Sequence, residues 1–71
     1  MRPLTAREII RVLKAHGFVL SRQHGSHMIW KNTLTGIIVP IPLHGRSKPI
    51  PICTAKAIIK QSRIPLGDFF G

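Results

Sequence analysis

Carboxylates are almost absent from this chain: its 71 residues hold only Glu8 and Asp68 against eleven lysines and arginines, for a formal net charge of +9. Such an imbalance attracts polyanions whatever the fold, so nucleic acid is the default partner, although a basic surface also has a purely solubilising reading. Cysteine is equally scarce. Cys53 stands alone, which excludes an intramolecular disulfide and points to a reducing, cytoplasmic setting, because so small a domain outside the cell usually needs such staples. Long apolar runs are missing too. The longest, from Ile37 to Leu43, is broken by Pro40 and Pro42, and charges at Arg2, Arg7, Glu8 and Arg11 keep the first residues from forming the apolar core of a signal peptide. A soluble protein with no membrane partner is expected. Length excludes multi-domain enzymology: a single domain, residues 1–71, buries only about 60% of the surface its unfolded chain exposes, so every element must share one core. No phosphate-binding glycine loop, zinc-finger spacing or Ser-His-Asp set occurs.

What is present reads as helix, three strands, helix. Thr5-Ala6-Arg7-Glu8 has the form of a capping box, and Leu4 before it pairs with Ile9 as a hydrophobic staple. Ala6, Ile9, Ile10 and Leu13 then recur at helical spacing, and Gly17 ends the helix in a left-handed turn, with His16 capping loose carbonyls. Phe18 to Gln23 is the first strand, with Phe18, Leu20 and Arg22 on one side; His24 and Gly25 break its pattern. From His27 to Lys31 alternation places His27, Ile29 and Lys31 on one face and Met28 and Trp30 on the other. Asn32 to Gly36 has the composition of a hairpin loop, and Ile37 to Ile41 is a third strand whose prolines confine it to an edge. His44 to Pro51 is a stiff, basic surface loop. Thr54 caps a second helix through about Ser62, with Ala57, Ile58 and Ile59 inward and Lys56, Lys60 and Arg63 outward, and Pro65 stops it. Phe69 and Phe70 are too apolar for a solvated tail and should dock on the core or on a partner.

The informative stretch is Arg22 to Lys31, where a glycine-serine corner precedes His27 and cations flank it at Arg22 and Lys31. With four histidines and so few carboxylates, imidazole is the side chain available for proton transfer near neutral pH. RNA carries its own nucleophile in the 2′-hydroxyl, so its cleavage needs only a base, an acid for the leaving 5′-oxygen, and cations near the phosphate. His24 and His27 are close in sequence, but carboxylate and cysteine ligands near them are absent, so no metal centre is expected. Cys53 reads as packing, and Trp30 as core rather than a platform for bases. Ser26 either orients a phosphate or satisfies the turn. A non-catalytic RNA-binding module, and a dock for an acidic protein, stay open as alternatives.

These residues resemble the HicA family, the toxins of HicA–HicB toxin–antitoxin pairs. The likeness lies in Gly17-Phe18 after the first helix, Arg22-Gln23-His24-Gly25-Ser26-His27, Val39-Pro40 with His44-Gly45, and Thr54 opening an Ile-rich helix. It implies an α+β fold similar to the double-stranded RNA-binding domain, in the order α-β-β-β-α, with a three-stranded antiparallel sheet and two helices on one face. It also implies an mRNA interferase that cleaves RNA without a metal and is inhibited by a HicB-type antitoxin that covers the catalytic histidine. That histidine maps onto His27, and the family's glycine and serine map onto Gly25 and Ser26. Arg22, Lys31, Arg46 and Lys48 complete the expected RNA-binding set. The chain departs from the family pattern at Cys53, where glycine is common, and in its proline-rich stretch from Pro40 to Pro51.

Overall fold

The expected helix, three strands and helix are present, with three short additions. In the computed structural model, which describes residues 2–42 and 48–70, the chain runs β1 (Leu4–Thr5), α1 (Ala6–Ala15), β2 (Phe18–His24), β3 (His27–Asn32), β4 (Ile38–Pro42), β5 (Pro49–Ile50) and α2 (Ile52–Ser62), then a 3-10 turn over Leu66–Phe69. Strands β2, β3 and β4 form an antiparallel sheet in that order, so β4 takes the edge that its prolines require. Strands β1 and β5 form a separate antiparallel pair, with Leu4 opposite Ile50.

The capping box sets the start of α1. Thr5 Oγ1 accepts from the Glu8 N–H at 3.2 Å, and Glu8 Oε1 accepts from the Thr5 N–H at 3.1 Å. The Thr5 amide, followed by the Arg2 guanidinium 2.9 Å from the carboxylate, holds the Glu8 carboxyl below its ordinary pKa. The helix buries Ala6, Ile9, Ile10 and Leu13, and Gly17 follows at φ +88°. His16 does not cap the helix with its ring. The loose carbonyls are met by backbone N–H groups of His16 and Gly17, and the imidazole instead lies 3.0 Å from the Asp68 carboxylate. Asn32, buried at the end of β3, joins the helix end to the hairpin loop: its Nδ2 donates to the His16 carbonyl at 3.0 Å, and its Oδ1 accepts from Leu34 and Thr35.

One face of the sheet meets both helices. Met28 and Trp30 of β3 and Val39 and Ile41 of β4 share a core with Ile9, Ile10 and Leu13 of α1 and Ala55, Ile58 and Ile59 of α2. Trp30 is a core residue, as its place in the alternation suggests. Phe69 is buried in the same core, while Phe70 packs against it under the Arg2 guanidinium, 5.2 Å from the ring centroid.

Helix α2 starts earlier than a Thr54 cap predicts. Ile50 is buried opposite Leu4, so the chain must turn at once, and Pro51, at φ −51° and ψ 138°, is the last extended residue. Its carbonyl accepts from the Ala55 N–H at 2.9 Å. This start places Ala55, Ile58, Ile59 and Ser62 inward at i, i+3, i+4 and i+7. Burying that stripe outweighs a cap worth about 1 kcal/mol. Ala57 and Cys53 therefore fall on the exposed side, and neither packs as expected. The helix ends at Arg63 in the left-handed conformation, two residues before Pro65. The stretch from His44 to Pro51 is not a loop throughout, since Pro49–Ile50 pairs with β1; Leu43 to Ser47, including His44 and Arg46, lie outside the described residues.

Candidate active site

Gly25 and Ser26 form the two-residue connection of the β2–β3 hairpin, which makes His24 and His27 register partners. Gly25 lies at φ +60°, while Ser26 is not among the residues of positive φ, the pattern of a II′ turn. Glycine is needed here for its torsion and not for space, because a Cβ built on it meets nothing within 4 Å. Gly25→Ala is accordingly expected to cost roughly 1–3 kcal/mol in urea unfolding. Gly67→Ala, in equally open space but without a positive φ, is the control. Equal costs at the two sites would contradict the torsional account.

The hairpin holds one irregularity that determines which residues meet. Leu20 is opposite Trp30, but Arg22 is opposite Ile29, so Ser21 is the extra residue of a bulge. Beyond it the side chains change face, because residues directly opposite in an antiparallel pair share a side. Arg22 is thus separated from Phe18 and Leu20, contrary to simple alternation, and joins His24, His27, Ile29 and Lys31. The β4 partners on this face are Pro42 opposite His27, Pro40 opposite Ile29, and Ile38 opposite Lys31.

This face is the one the helices leave uncovered. Arg22, His24, His27 and Lys31 are all exposed, Ile29 is half-buried, and Val19 and Ile38 are about half exposed at 50% and 48%. Cations dominate it. Neither carboxylate side chain reaches it, since Glu8 is held by Thr5 and Arg2, and Asp68 by His16. Lys48 is exposed just before β5, outside the three-stranded sheet. A concavity of about 410 Å³ lies on the helix side, lined by Ile10, Lys14, Phe18, Leu20, Met28 and Trp30 among others, and does not include His27. Among the described residues no three of His, Cys, Asp and Glu come together as a metal-binding group.

Sequence reasoning placed His27 and Lys31 on one face after a Gly-Ser corner, as the register has them, but ended the first strand at Gln23 and so missed that His24 is paired. The signal was available: a Gly-Ser dipeptide between two strand-like runs predicts a two-residue hairpin, which obliges its flanking residues to face one another. Chemically, the face offers two adjacent imidazoles and two fixed cations on open, partly apolar ground. That suits an extended anionic polymer better than a small molecule enclosed in a cavity.

The family model described as HicA toxin of bacterial toxin-antitoxin matches residues 6–64, which include every residue named on this face. No curated protein matches the chain.

Proposed function

Because the chain belongs to the HicA toxin family, and is therefore the toxin of a bacterial toxin–antitoxin pair, we propose that it is an endoribonuclease that cleaves mRNA with His27 as general acid or base. The observation that carries this reading is the exposed His27 on an uncovered sheet face shared with Arg22 and Lys31 and free of carboxylates. Cations at those positions hold the phosphates and offset the charge that builds on the phosphorus oxygens. Gly25 and Ser26 set the turn that presents the histidine, and Arg46 and Lys48 supply phosphate contacts further along the chain. The enzyme acts in the cytoplasm, where a HicB-type antitoxin restrains it. An acidic partner suits the +9 charge, and one that lies over Val19, Ile29 and Ile38 also hides His27 from RNA.

The nucleophile is the RNA's own 2′-hydroxyl, so the products should be a 2′,3′-cyclic phosphate and a 5′-hydroxyl end. End analysis of a labelled single-stranded RNA incubated with purified protein in EDTA tests this. Cyclic phosphate termini formed at an undiminished rate are expected. Products with 5′-phosphate ends, or cleavage abolished by the chelator, would contradict the mechanism.

A further inference from the structure

We propose that His24 is the second proton-transfer group of this site, so that one of His24 and His27 is the base and the other the acid. The inference rests on the ribonuclease reading above. It comes from the hairpin register: the II′ turn at Gly25-Ser26 makes the two histidines direct cross-strand partners, and both are exposed. Directly opposite residues of an antiparallel pair hold their Cβ atoms about 4.5–5.5 Å apart on the same face. Two imidazoles rooted at that separation can splay around one phosphate, each within hydrogen-bond reach of a different oxygen.

The other candidates on the described chain are placed elsewhere or lack the chemistry. Glu8 is held by the α1 cap, and Asp68 and His16 are held by each other. Arg22, two residues from His24 on the same face, does not release its proton and serves as a fixed charge beside the phosphate. Lys31 lies four residues along β3 from His27, roughly 13 Å at strand rise, too far to reach the same phosphate's leaving oxygen. Among the described residues, β4 faces the two histidines with Pro40 and Pro42, which do not titrate.

The step balances within the RNA and the two rings. The base removes the 2′-hydroxyl proton, the 2′-oxygen bonds to phosphorus, the bond from phosphorus to the 5′-oxygen breaks, and the acid protonates that oxygen. The products are the cyclic phosphate and the 5′-hydroxyl, and the two histidines exchange protonation states.

The test compares purified full-length wild type, His24→Ala, His24→Asn and His27→Ala on a single-stranded RNA, measuring cleavage across pH and RNA affinity separately. Each histidine variant is expected to lose roughly 10²- to 10⁴-fold in cleavage rate and to keep RNA binding. The wild-type pH–rate profile should be bell-shaped, with His24 and His27 variants losing opposite limbs. A substrate whose scissile 5′-oxygen is replaced by sulfur needs no acid for departure, so it should restore the rate of one variant and not the other. Wild-type cleavage and a wild-type bell in both His24 variants, with His27→Ala inactive, would overturn the role of His24 and leave that of His27 intact. A slower His24 variant that keeps both limbs would also overturn it, since that is the behaviour of a merely positioning residue. Inactive wild type, or an active His27→Ala, would overturn the ribonuclease site itself and this inference with it.

Discussion

Trp30→Ala is expected to lower stability by about 3–5 kcal/mol, the cost of truncating a large buried aromatic side chain. A chain of this length has roughly 4–10 kcal/mol in all, so much of that reserve disappears. Trp30 lies on the central strand, is only 4% exposed, and packs with both helices in the core. Its Nε1 finds no acceptor among the described residues, so a phenyl ring in its place loses no hydrogen bond and removes a buried, unpaired donor. Trp30→Phe should therefore be far milder, losing chiefly volume and part of the attraction to the Lys14 ammonium, 5.8 Å from the ring centroid. Urea unfolding followed by circular dichroism checks the pair. Equal midpoint shifts in the two variants would show that Trp30 is not the packing anchor described. The consequence reaches the site, because Met28 and Trp30 anchor the inner face of β3 and so present His27, Ile29 and Lys31 on the outer one.

His27→Ala is expected to do the opposite, removing cleavage while sparing the fold. His27 is exposed and makes no core contact, and truncations at such positions usually change stability by no more than about 0.5 kcal/mol. Loss of one acid or base step lowers the rate by roughly 10²- to 10⁴-fold. Binding should persist, because affinity for RNA rests on cations such as Arg22 and Lys31, which the substitution leaves in place. The contrast between the two substitutions is itself informative: one loses activity by losing structure, the other by losing chemistry.

Much of this architecture was legible before the fold was known. The capping box at Thr5 and Glu8 and the inward stripe of α1 depend only on neighbours in sequence, and both are found as expected. The alternation of β3 likewise put His27 and Lys31 on one side and Trp30 in the core. The resemblance to HicA toxins rested on residues such as 22–27, and the family match over residues 6–64 contains them. The misreadings share a physical origin. A bulge at Ser21 leaves no periodic trace, so Arg22 was assigned to the wrong face. Strands of two residues, β1 and β5, are too short for any pattern, and their pairing moved the start of α2 from the expected Thr54 cap to Pro51. His16 found its partner in Asp68, near the other end of the chain, which local reasoning does not reach.

The measurement that bears most directly on the central claim pairs two assays on the same preparations of wild type and His27→Ala. One is cleavage of a labelled single-stranded RNA in EDTA, resolved on a denaturing gel; the other is RNA affinity in matched salt. Cleavage by wild type alone, with comparable binding by both proteins, is the predicted result. Binding by both with cleavage by neither would contradict the account and mark the chain as a binding module, and equal cleavage by both would place the chemistry away from His27.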